Sequence, residues 1–95
     1  MTGISGERPV PPSQRPRGRP FLGELQRSKA VPGFAWRQVA WSGQAIGMVT
    51  ESDPGRLVGV CSYPCMYRTP ESLSDRAAAM YLVAHRQSPA HRRML

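Results

Sequence analysis

Apolar and polar positions fall into short alternating runs, split by turn residues, only from about residue 34 onward. The segment 34–41, Phe-Ala-Trp-Arg-Gln-Val-Ala-Trp, is rich in aromatic and β-branched residues and reads as a strand. Its alternation slips between Trp36 and Val39, which predicts a bulge or burial on both faces. Ser42-Gly43 suits a tight hairpin turn. Residues 45–50 then read as a second strand, with Ile46, Met48 and Thr50 on one face and Ala45, Gly47 and Val49 on the other. Asp53-Pro54-Gly55-Arg56 fits a type II turn, because proline presets the second position and glycine supplies a positive φ at the third. A third strand follows over 57–63. Three strands with short turns make an antiparallel meander.

The period changes after residue 68. Thr69 is a suitable N-cap, Pro70 suits the first helical position, and Glu71 favours the first turn. At 100° per residue, Leu73, Ala77, Met80, Tyr81 and Ala84 share a face, which predicts that this side packs on the sheet. Pro89 should stop the helix near Gln87 or Ser88, leaving 89–95 as a basic tail. Before residue 33 the pattern is different. Prolines 9, 11, 12, 16, 20 and 32 remove backbone donors and fix φ, so 1–32 is expected to be an extended, mostly disordered arm. Within it, the stretch from Phe21 to Arg27 could form one helical turn docked on the domain. The fold expected is α+β: an arm over 1–32, then a small β-β-β-α domain over 33–88 with the meander packed on one C-terminal helix.

Composition bounds what this fold can do. A chain of 95 residues holds one domain, and if the arm is loose the remainder buries only about 60% of its unfolded surface. Help from a partner chain, a ligand or a metal is therefore expected. The net charge of +7 favours nucleic acid or an anionic surface. Twelve of the thirteen basic residues are Arg, with Lys29 the exception. GC-rich coding can explain Arg over Lys, but not the two-to-one excess of basic over acidic groups. No apolar run of about 18 residues occurs, and residues 1–9 lack the apolar stretch of a secretory leader. A cytoplasmic protein without a membrane partner is the expectation, with Cys61 and Cys65 reduced.

The sharpest local motif is Arg15-Pro16-Arg17-Gly18-Arg19-Pro20, whose last five residues resemble the AT-hook, a short DNA-binding peptide. The resemblance covers six residues and implies that Arg17 and Arg19 lie along the minor groove of A·T-rich DNA, with Arg15 on the flank. The physics agrees: Gly18 lets the backbone approach the groove floor, the prolines pre-extend the chain, and a narrow groove attracts arginine. The basic outer flanks usual in that family are reduced here. The domain's topology is similar to the N-terminal DNA-binding domains of tyrosine integrases, which lay a sheet in the major groove. It also looks like the strand-and-helix part of double-stranded-RNA-binding domains, but the lysines that family carries at the helix start are missing. That departure favours DNA over RNA. If a sheet face binds, Arg37, Arg56 and Arg68 are the candidate phosphate contacts.

Three residues separate Cys61 from Cys65, and five separate His85 from His91 downstream, roughly the spacing of a tetrahedral zinc site. Against this, the gap from Cys65 to His85 is longer than in zinc fingers, and His91 lies beyond Pro89. No metal and no cofactor is therefore expected; Cys61 and Cys65 are expected to be buried or partly buried thiols, with a disulfide and a zinc site as the alternatives. No phosphate-cradling loop and no HExxH motif is present, so no enzyme and no small-molecule substrate are expected. The expected function is a basic nucleic-acid-binding accessory or regulatory protein, acting alone, as a homo-oligomer or in a larger complex. The alternative is a protein-interaction module that docks on an acidic surface through Phe34, Trp36, Trp41 and Tyr63.

Overall fold

The computed structural model of the protein describes residues 19–95. Its centre is an antiparallel sheet: β3 (Ala35–Trp41), β4 (Gln44–Asp53) and β5 (Arg56–Cys61) form the expected meander. The turns are those the residues demand. Ser42 and Gly43 both take positive φ, 57° and 76°, and Gly55 sits at 78°. β3 is irregular just beyond the stretch from Trp36 to Val39 where the alternation slips: its register shifts between Val39 and Ala40.

Two further strands, absent from the sequence reading, complete a five-stranded sheet. β1 (Phe21–Leu22) pairs with Val39 and Ala40, and β2 (Gln26–Arg27) pairs with Ala35 and Trp36. The segment read as a helical turn is thus an interrupted edge strand, and the expected arm does not reach residue 32. The physical reason lies in β3, whose outer row of N–H and C=O groups would otherwise be open. Between Pro20 and Pro32 no proline intervenes, so this stretch can donate to that edge. The Gly23 N–H donates to Gln38 O (2.9 Å), and Arg37 Nη1 donates to Gly23 O (2.9 Å). The expected disorder of the first eighteen residues concerns positions outside the described residues.

The other edge is covered as well. Residues 68–72 run antiparallel along β5, with bridges Val60–Arg68 and Leu57–Ser72. Thr69 is therefore not a helix cap. It is buried, and its Oγ1 accepts from the Gly59 N–H at 2.8 Å. The cap is Ser74, whose Oγ accepts from the Ala77 N–H at 3.1 Å and opens α1 (Asp75–Arg86). Gln87 closes α1 as expected. Pro89 then starts a second helix, α2 (Pro89–Arg93), where a basic tail was expected.

The packing face of α1 also differs from the expectation. Ala78, Ala79, Leu82 and Val83 are buried, whereas Met80 and Tyr81 are half exposed and Leu73, before the helix, is 78% exposed. The sheet decides this. Gly59 leaves room for Leu82, since a Cβ there would stand 2.7 Å from Leu82 Cγ and 3.0 Å from Ala78 O. Gly47, in line with Val39 and Cys61 across the strands, would likewise meet the Val60 carbonyl. So close an approach selects alanines and one leucine over Met80 and Tyr81. The core is Val39, Ile46, Val49, Cys61, Ala78 and Leu82 with their neighbours.

Candidate functional site

The sheet-and-helix layer has two ends. At one lie the β4–β5 turn and the start of α1; at the other lie the β3–β4 turn, Cys61 at the end of β5, and the last turn of α1. The second end brings together four side chains that the sequence separates. Cys61 and Cys65 flank a tight loop in which the Cys65 N–H donates to Ser62 O (3.1 Å) and the Cys61 N–H donates to Tyr67 O (2.8 Å). Met66 adopts φ 60°, a left-handed conformation that a non-glycine residue takes at some cost, and the loop closes within five residues. His85 projects from the last turn of α1 and His91 from α2.

One donor atom from each of the four residues lies within 4.8 Å of the others. Cys65 Sγ is 3.2 Å from His85 Nε2, and Cys61 Sγ is 3.8 Å from His91 Nδ1. Cys61, Cys65 and His85 are buried, and His91 is half buried. Tyr67 stacks on the His85 ring at 3.9 Å and 10°, while His91 meets it edge-on at 5.2 Å. No carboxylate belongs to the group. Burial pushes the Cys61 thiol above its ordinary pKa, Cys65 adds to that rise, and the Arg86 guanidinium opposes it. Burial, then the charges of His91 and Arg86, push His85 below its ordinary value. The arrangement can accept one soft or borderline cation on two sulfurs and two ring nitrogens.

The nineteen-residue gap that argued against this grouping is a round trip. Residues 68–72 carry the chain along β5 to the far end, and α1 returns it: twelve residues rise about 18 Å. His91 comes back because Pro89 begins a helix. The C-x3-C and H-x5-H pairs were the available signal, and only the path between them could not be read.

Arginines surround this end. Arg86 ends α1, Arg92 and Arg93 lie on α2, and Arg68 sits beside Val60 one residue before Cys61 in β5. Arg19 precedes β1, whose Phe21 pairs with Ala40 near the β3–β4 turn, so the chain enters the sheet here. Glu51, Asp53, Glu71 and Asp75 occupy the other end, and Glu24 the opposite edge of the sheet. Of the sequence candidates, Arg68 and Arg19 are exposed at the Cys/His end. Arg37 and Arg56 are not gathered with them: Arg37 pairs with Asp75 (3.4 Å) and Arg56 with Glu71 (3.8 Å). Arg15, Arg17 and Gly18 lie outside the described residues. Among the aromatic candidates, Tyr63 is 85% exposed, Phe34 stacks on Trp36, and Trp41 packs against the core. Among the described residues, no helix is long and apolar enough to cross a membrane.

No protein-family model, curated protein or solved structure matches this chain.

Proposed function

We propose that the chain is a small nucleic-acid-binding protein that takes the phosphate backbone, of DNA in preference to RNA, on its Cys/His end. The observation that carries this reading is the segregation of charge. Arg68, Arg86, Arg92 and Arg93 share one end with no acidic side chain among the described residues there, while at the other end Arg37 and Arg56 pair with Asp75 and Glu71, and Arg27 and Arg76 lie at the end that also holds Glu51 and Asp53. Arginines outside any ion pair suit bidentate phosphate contact, and such contacts release counterions; Arg68, Arg92 and Arg93 are the exposed ones here. The Arg15, Arg17, Gly18 and Arg19 segment is attached at the same end through Arg19, so a minor-groove arm and a backbone-gripping end would act on one duplex, the second contact raising the effective concentration of the first. The role is binding, and no reaction is assigned.

Duplex affinity as a function of salt tests this reading. Replacing Arg68, Arg92 and Arg93 by Gln should flatten the dependence of log K on log salt by roughly one unit for each phosphate no longer neutralised. Arg56→Gln, at the other end, should leave it unchanged. Gly18→Leu keeps the charge but blocks groove approach, so it should erase any preference for A·T over G·C duplexes. If wild type binds neither DNA nor RNA near physiological salt, the reading fails and an acidic protein surface becomes the partner to seek.

A further inference from the structure

We infer that Cys61, Cys65, His85 and His91 bind one Zn²⁺ in a closed tetrahedral site that fastens α2 to the sheet. This goes beyond nucleic-acid binding and does not depend on it.

Donor geometry is the first support. With Zn–S near 2.3 Å and Zn–N near 2.0–2.1 Å, tetrahedral ligands stand roughly 3.3–3.8 Å apart. Two S···N separations are 3.2 and 3.8 Å, and all four donors fall within 4.8 Å of one another. Two sulfurs and two imidazole nitrogens suit Zn²⁺, and the lack of a carboxylate in the group disfavours the hard cations. Four protein ligands leave no open position, so the ion is structural rather than catalytic.

Charge balance is the second. Three of the four groups are buried, and a buried polar cluster is costly unless fully satisfied. Two thiolates around Zn²⁺ make the centre formally neutral. As the two Zn–S bonds form, each thiol releases its proton to solvent. The rings bind as neutral imidazoles through His85 Nε2 and His91 Nδ1, and no electron is transferred.

The third is α2 itself. Five residues are too few for a helix to persist alone, and α2 buries none of its side chains. It meets the cluster through His91, and Met94, just after it, has its Sδ 3.9 Å from Cys65 Sγ. A metal bond to His91 explains why so short a segment is placed. Tyr67, stacked on His85, holds that ring in orientation.

The test uses the full chain, reduced and titrated with Zn²⁺ alone and with Co²⁺ as a spectroscopic stand-in. One Zn²⁺ per chain should survive gel filtration and protect both thiols from alkylation. Co²⁺ should give the intense visible bands of a tetrahedral ion together with thiolate-to-metal charge transfer. Cys65→Ser could fail to fold, so His91→Ala is the sharper variant, because His91 is the most exposed ligand and lies outside the core. It should lower Zn²⁺ affinity and alter the Co²⁺ bands while the sheet remains intact by circular dichroism. Tyr67→Ala should weaken binding by about tenfold, the lower range for residues that orient a ligand. The proposal is overturned if the chain holds no stoichiometric Zn²⁺ and its thiols react equally fast with and without it. An unchanged affinity and Co²⁺ spectrum in His91→Ala would overturn it too.

Discussion

The two ends of α1 are held by different physics. At its start, Ser74 caps the helix, Asp75 pairs with Arg37, and Glu71 receives Arg56 and the Ser52 hydroxyl (2.9 Å). These groups are half exposed, and such pairs contribute about 0–1 kcal/mol each. At its end, His85 is buried among sulfurs and rings, and the chain turns into a helix with no buried side chain. The first end is an ordinary solvated surface that many sequences could supply. The second depends on four particular residues arriving together. Local signals can be replaced piecemeal, whereas a converging cluster succeeds or fails as a unit.

Metal withdrawal should break this comparison most strongly. Free Zn²⁺ at about a thousand times its Kd would add about 4 kcal/mol of stability. Chelation should therefore lower the melting temperature and speed amide exchange first in residues 61–67 and 85–95. Exchange that accelerates evenly along α1 would mean that the two ends are not independent. Leu82→Ala comes next. Leu82 is fully buried against Gly47 and Gly59, so its truncation should cost about 3 kcal/mol by chemical denaturation.

These expectations show what the sequence could and could not disclose. β3, β4 and β5 were legible because alternation and turn chemistry are local: Ser42-Gly43 and Pro54-Gly55 specify their turns without reference to the rest of the chain. β1 and β2 were not, since two-residue strands have no period and their pairing answers the open edge of β3. A helix before Pro89 was legible, but not its start or its face. Thr69-Pro70 and Ser74-Asp75 both carry start signals, and the edge of β5 claimed the first. The buried face was settled by Gly47 and Gly59, on other elements, rather than by the helix's own pattern. The same holds at the candidate site. The Cys and His pairs were visible, but residue count does not reveal that 68–72 and α1 run out and back.

A smaller effect is expected from Arg37, which joins the sheet edge to the start of α1. Asp75→Asn removes the ion pair and the first-turn negative charge of α1, so it should cost about 1 kcal/mol, and less at 1 M salt, where surface charges are screened within about 3 Å. Arg37→Ala also frees the Gly23 carbonyl and should cost somewhat more, with a part that salt does not remove. Equal, fully salt-sensitive losses in the two variants would show that the hydrogen bond to β1's neighbour contributes nothing.

The smallest effect tests the packing face of α1. Leu73, Met80 and Tyr81 share the helical face that periodicity assigns to the core, and burying Leu73 there would make Leu73→Ala costly. In the folded chain Leu73 precedes the helix and is 78% exposed. Its truncation uncovers little surface and creates no cavity, so the change should stay within about 0.5 kcal/mol. Leu82→Ala in the same background is the control, because both variants delete the same atoms from the same residue type. A large loss at Leu73 with a small one at Leu82 would mean that α1 is rotated so that Met80 and Tyr81 face the sheet. His85 would then turn away from Cys65, and the cluster at the far end would come apart. The register of one helix therefore decides both the core and the candidate metal centre, and this pair of leucines reports on it without reference to metal.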